Sequence, residues 1–315
     1  MGKGASRHVT TANAGMSLFA ATPANACAAY TGLRDGTHAH QQAGREHCDN
    51  LWRDFAPLAD ANFVAEFPIR LHERWFEMYL TVALLRAGLN VTCPKPGPDI
   101  LLTLAGGTRI WIEATCATPG QPGLPDSVPP PQYAAVGASP VVTSRPTEQM
   151  ALRIRNAVSA KEAVFRGYVT TGIVAATDVQ VVAVNVHAVH GLWADMGDLM
   201  MRSLYGVGDM VLTLDRSTGT VVDQRHAQIT HIAKKSTGAM VGVQPFIDGS
   251  LPHISSIIGS RADAVNLPDR RLGDDLTLFP NLTGSVAWPA GTVPLGAEWS
   301  FTQGIDGWDG KLVGY

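Results

Sequence analysis

The sequence predicts an α/β fold with a central mixed sheet flanked by helices, and three observations predict it. Apolar residues recur every three or four positions in PIRLHERWFEMYLTVALLRAG, and the period switches to two immediately afterwards. Further on, VQVVAVNVHAV is a nearly continuous apolar run, the pattern of a strand covered on both faces.

Residues 1–45 are rich in Ala, Gly, Thr and His and carry no period that would bury a face, so a flexible N-terminal arm is expected there. Lys3 and Arg7 precede an apolar stretch, but Thr22, Pro23 and Asn25 break it, which argues against a signal peptide. The packed core is expected over 46–190. It begins with a helix through Leu51, Trp52, Phe55 and Leu58, followed by the strongly periodic helix that carries Leu71, Trp75, Met78, Tyr79, Val82 and Leu85 and ends at Gly88. Strands follow at LNVTCP, DILLTL and TRIWIEAT, the last two joined by a Gly106-Gly107 turn. A Pro-rich loop leads into a helix from about Arg145 to Phe165 and then into the apolar strand. Over 191–315, LWADMGDLMMRSLYG reads as a helix, and DMVLTL, TVVDQRHAQITHIA, MVGVQPFI, HISSIIGS and DLTLFPN read as strands of a β-rich C-terminal extension packed on the same domain.

Composition narrows the function classes. The chain has 315 residues, 45% hydrophobic and 16% charged, with a net charge of −3, so it is a globular protein whose charge argues against non-specific coating of nucleic acid and leaves room for a local basic groove. No apolar run approaches the roughly 18 residues of a membrane span, and no membrane partner is expected. Cys27, Cys48, Cys93 and Cys116 stand apart without a CxxC pair, which points to reduced thiols and a cytoplasmic location. No phosphate-cradling glycine motif or GxSxG nucleophile setting is present. His187, His190, His226, His231 and His253 sit on strands as structural residues, since a zinc site needs several ligands converging.

Chemistry concentrates in GPDILLTLAGGTRIWIEAT. Alternation along TRIWIEAT puts Ile110, Ile112 and Ala114 on one face and Arg109, Trp111, Glu113 and Thr115 on the other, pointing away from the core. Asp99 opens the neighbouring strand of the same hairpin, so the two carboxylates can approach where the strands splay. Converging oxygens suit a hard divalent cation whose remaining ligands are water and substrate phosphate. The preceding helix offers Glu77 as a third carboxylate, with Glu73 one turn earlier. Taken singly, each of these residues reads better as turn or surface polarity, and it is their conjunction that points to a site.

A helical glutamate, then Pro-Asp, then Glu-x-basic at the end of the next strand resembles the PD-(D/E)XK restriction-endonuclease-like superfamily, here Glu77, Pro98-Asp99 and Glu113-Ala114-Thr115. The resemblance covers roughly residues 65–185. It implies a nuclease-like core and a metal-dependent endonuclease that hydrolyses nucleic acid, DNA in the first instance. Asp99 and Glu113 would hold Mg²⁺ (or Mn²⁺ in its place), and Glu77 would hold a second ion or a metal-bound water. Where the family places a lysine this chain has the neutral hydroxyl of Thr115. Family members with the basic group on a neighbouring element direct attention to the 145–165 helix, with Lys161 first, then Arg153, and Gln149 as a polar neighbour. Trp111, on the Glu113 face, is a candidate to stack on a base or sugar, or equally to pack under the Pro-rich loop. A homodimer is compatible with the family, although no helix carries a heptad seam. The alternatives are a catalytically inactive nuclease-like domain that binds nucleic acid or a protein partner, a secreted antibacterial nuclease, and an unrelated α/β binding protein.

Overall fold

A computed structural model describes residues 16–130, 145–189, 196–268, 271–294, 296–304 and 308–314. Four helices come first: α1 Ala28–Asp35, α2 Ala39–Phe55, α3 Phe63–Glu66 and α4 Leu71–Arg86. Strands β1 Val91–Thr92, β2 Ile100–Thr103 and β3 Arg109–Cys116 precede the long helix α5 Thr147–Thr170, strand β4 Val179–Asn185 and helix α6 Met196–Tyr205. Eight strands follow: β5 Val207–Leu214, β6 Val221–Gln228, β7 His231–Ala233, β8 Met240–Gly242, β9 Ser256–Ser260, β10 Thr277–Pro280, β11 Ala297–Gln303 and β12 Trp308–Gly314.

The main sheet has eight strands in the order β1-β2-β3-β4-β9-β10-β11-β12. β1, β2 and β3 form an antiparallel meander, whereas β3 pairs parallel to β4 and β4 parallel to β9. A parallel pair needs a crossover, and α5 supplies the one between β3 and β4. The protein is thus α/β with a large mixed sheet and flanking helices. Two hairpins, β5–β6 and β7–β8, stand outside that sheet.

Both faces of the sheet are covered. On one side Trp75, Tyr79 and Leu80 of α4 pack on Ile100, Ile110, Ile112 and Val181; on the other Ile154, Val158 and Phe165 of α5 pack on Trp111, Val182 and Ile257. All seven residues of β4 are buried, as its unbroken apolar run requires. Helix α4 is buried on nearly every side from Trp75 to Leu84, because α1 and α2 cover the flank turned away from the sheet.

Three expectations change. The residues expected as a mobile arm are packed from position 18 onward: Leu18, Tyr30 and Leu33 are buried, and the Tyr30 hydroxyl donates to the Leu18 and Ala21 carbonyls at 3.1 and 2.8 Å. Residues 1–15 lie outside the described part. The face of β3 that carries Trp111 and Glu113, expected to point away from the core, instead enters a second apolar layer under α5. Finally, β11 and β12 extend the sheet where no strand is read from sequence.

Candidate active site

The carboxylates meet because the hairpin register brings them together. Ile100 pairs with Ile112, so Asp99 lies one step outside β2, opposite Glu113. The Asp99 carboxylate accepts a hydrogen bond from the Ala114 amide at 2.9 Å, which fixes it across the two strands. Gly97 makes the approach possible: its φ is 155° and a Cβ there would stand 3.2 Å from the Pro94 carbonyl oxygen. Glu77 reaches the same place from α4, three residues after Arg74, whose guanidinium bonds it at 2.8 Å. Lys161 comes from α5, with its Nζ 2.5 Å from Glu113 Oε2.

Asp99, Glu77, Glu113 and Lys161 line one cavity of about 300 Å³, together with Glu73, Arg70, Arg74, Asp60, Lys95, Val164 and Tyr168. Glu113 is 3% exposed and Glu77 5%. Burial, and then the Asp99 charge, push the Glu77 carboxyl up to about 7, against the opposing pull of Arg74. Burial and Asp99 also raise Glu113, and Lys161 works against them. For Lys161, burial disfavours the charge, but Glu113 and Asp99 outweigh it and the ammonium is held more tightly than usual. Lys161 is therefore a cation at neutral pH and cannot serve as a base. The Tyr168 hydroxyl, bonded to Glu113, is pushed to about 12 by burial and then by the two carboxylates.

The other sequence candidates lie elsewhere. Trp111 is 4% exposed and its indole donates to Asp178 at 2.9 Å, so it is a core residue and no stacking platform. Gln149 is buried near the start of α5, about 18 Å along the helix from Lys161. Arg153 lies about 12 Å from Lys161 along the same axis and bonds the Thr118 carbonyl at 2.7 Å. Neither lines the cavity, nor does Thr115. Helical geometry explains this: residues eight or twelve apart share a side of a helix but not a level along it. His187 bonds Asn185 at 2.9 Å and lies against His72 at a tilt of 45°, with ring centroids 4.2 Å apart, while His190 lies outside the described residues.

Sequence reasoning missed Tyr168, Lys95, Arg74 and Asp60. Tyr168 was legible, since it follows Lys161 by two helical turns and so falls on the same face. Lys95 precedes Asp99 in the same loop and stands 3.5 Å from it.

As a set, these groups suit a hard cation of low ligand demand. Among the described residues no three His, Cys, Asp or Glu side chains are grouped to hold a metal unaided. Mg²⁺, however, is bound by one or two carboxylates and keeps several waters, and Asp99 with Glu113 supplies that number. Burial first, and the Asp99 charge second, raise both Glu77 and Glu113, while Arg74, Lys161 and Lys95 offset part of that effect. Comparisons with protein-family models, curated proteins and solved structures returned no match. Among the described residues no helix is long and apolar enough to cross a membrane.

Two measurements test this description. Truncating Trp111 to alanine should cost about 3–5 kcal/mol of stability, as for other buried aromatics, read by urea unfolding; loss of nucleic-acid affinity at undiminished stability would contradict a core role. The second concerns Glu77, whose folded pKa is above its unfolded value. Its contribution to stability is complete below the ordinary carboxylate pKa near 4.3 and is lost as pH rises through about 7. Between pH 5 and 8 the wild type should therefore lose about 3 kcal/mol more stability than Glu77→Gln; parallel curves for the two proteins would refute the assignment.

Proposed function

We propose that the protein is a metal-dependent phosphodiesterase that hydrolyses nucleic acid, with DNA as the substrate, and that α4, β1–β3, α5 and β4 form a restriction-endonuclease-like core. The observation that carries the reading is the convergence of Glu77, Asp99 and Glu113 with Lys161 on a single cavity. Supporting it, the helix, three-stranded meander, crossover helix and parallel strand occur in the order the resemblance implies.

Asp99 and Glu113 would hold the Mg²⁺, and Glu77 would bond a water of its shell. When bound, the metal acidifies a coordinated water and neutralises charge building on the phosphate. The chain's own groups do the rest. Lys161, tethered to Glu113, is the ammonium available for the role of the family's lysine and would donate a hydrogen bond to a non-bridging phosphate oxygen. Tyr168 keeps its proton and donates a hydrogen bond to Glu113, helping to hold that carboxylate in place. Arg70 and Lys95, 54% and 40% exposed at the cavity mouth, meet the flanking phosphates. Arg74, held by Glu66 and Asp60 as well as Glu77, fixes the third carboxylate in place.

Incubation of supercoiled plasmid with Mg²⁺ or Mn²⁺ tests the reading. Nicked and linear products should appear with either ion and vanish with EDTA. Calorimetry should show Mn²⁺ binding that Asp99→Asn abolishes; a folded protein that neither binds Mn²⁺ nor nicks plasmid would exclude catalysis and leave a nuclease-like binding domain.

A further inference from the structure

Two imidazoles meet where the start of α4 abuts the end of β4. His72 is the second residue of α4, and His187 follows Asn185, the last residue of β4, by two; their ring centroids lie 4.2 Å apart. No side chain caps this end of α4. The Arg70–Glu73 ion pair there is about half exposed, a setting in which such pairs add little. The first turn, which brings Arg70, Glu73 and Arg74 to the cavity, therefore rests on buried Leu71, on the ion pairs of Arg74 and on the contact between the two rings.

Asn185, fully buried, fixes the chemistry of His187. Its Nδ2 donates to the Ala262 carbonyl at 2.8 Å and its Oδ1 accepts from the His187 amide at 2.9 Å, so two backbone partners set the orientation of the side-chain amide. The same Oδ1 lies 2.9 Å from His187 Nδ1. An amide oxygen only accepts, so Nδ1 carries the proton and Nε2 alone can take a second one. That second proton would place a cation against His72. Protonating His72 as well would set two like charges in contact, one of them in the first turn of a helix, where the dipole opposes it. The charges that act on the pair are Glu73 on α4 and Asp263 after β9, and both favour the protonated rings. Among the described residues neither bonds an imidazole: Glu73 holds Arg70, and Asp263 accepts from the Val265 and Asn266 amides at 2.8 Å. Burial lowers both rings in spite of them, His187 to about 4 with the neighbouring His72 as the second cause.

We propose that the His72–His187 pair is an acid-operated latch: with both rings neutral it holds the first turn of α4 against β4, and a proton entering the pair releases that turn together with Arg70, Glu73 and Arg74. The cavity would then lose one wall at acid pH, whatever chemistry it performs, so the latch does not depend on the metal site proposed above. The folded pKa of His187 lies below its ordinary value near 6.5. Its contribution is therefore complete above pH 6.5 and is lost as pH falls toward 4. For one such ring, opening becomes about 30-fold more favourable at pH 5 than at pH 8. Glu77 works in the opposite sense, since its contribution fades as pH rises.

Hydrogen exchange of the Arg74–Met78 amides at about pH 8 and pH 5, corrected for intrinsic rates, is the test. The control is His72→Gln/His187→Asn, which removes both titrating rings while the new asparagine keeps a donor for Asn185. Between the two pH values the wild type should lose about 30-fold more protection than this variant; Glu77 is common to both and cancels. Over the same range the Val181–Val184 amides of β4 should change by less than about 3-fold. Should the variant fail to fold, the wild type decides alone: by NMR, His187 should titrate below about pH 5, and the α4 amides should open over the same range. Equal losses in wild type and variant, equal losses along α4 and β4, or both imidazoles titrating near 6.5 in the folded wild type would each overturn the proposal.

Discussion

Replacing Asp99 or Glu113 is expected to reduce plasmid nicking by about 10²–10³-fold, the loss typical when a preorganised charge-stabilising group is removed. The two residues are not equivalent as test sites. Asp99 takes one amide bond, from Ala114, so Asp99→Asn removes the charge at a cost of about 1 kcal/mol in stability. Glu113 is the partner of a largely buried ammonium. Its truncation to alanine would leave Lys161 uncompensated, and breaking a buried pair costs about 3–5 kcal/mol. Glu113→Gln is the cleaner variant, since the amide keeps volume and an oxygen for Lys161. Activity within about 10-fold of wild type in both Asp99→Asn and Glu113→Gln would remove the basis for the metal site.

Lys161 carries the second large effect. Lys161→Met preserves the side-chain volume but deletes the charge, and nicking should fall about 10²–10³-fold. Lys161→Arg should not restore it, because a planar guanidinium cannot take the place of a compact ammonium 2.5 Å from Glu113. Thr115→Ala, by contrast, should leave the rate within about 3-fold, as Thr115 does not line the cavity. Single-turnover cleavage rates of the three variants separate these cases. If Thr115→Ala were as damaging as Lys161→Met, the basic function would have to be sought on β3 itself.

The four groups that meet in the cavity were legible because each sits on an element with a strong periodic signal and a defined register. Trp111 was misplaced for a physical reason: period-two alternation distinguishes two faces but not a solvated face from one under a second helical layer. A charged residue on such a face is then more informative than an aromatic one, since Glu113 can be buried only with a partner such as Lys161. Residues 18–35 were unreadable because Tyr30 is anchored by carbonyls at Leu18 and Ala21, contacts that leave no trace in periodicity. β12 was unreadable because its exposed apolar residues alternate with glycine and charge, without the buried face that marks a strand.

The Tyr79 hydroxyl, two residues beyond Glu77 and so on nearly the opposite side of α4, donates to Asp275 and accepts from the Gly273 amide at 3.0 Å, joining residues 196 apart in the chain. Between β4 and the rest of the sheet stands β9, also a late segment. On a ribosome adding about 5–20 residues per second, α4 therefore emerges roughly 10–40 s before the groups that satisfy its buried tyrosine exist. Throughout that interval the Tyr79 hydroxyl is without the two partners it has in the folded chain. This anchor of α4 is thus completed only after Gly273 and Asp275 have been translated.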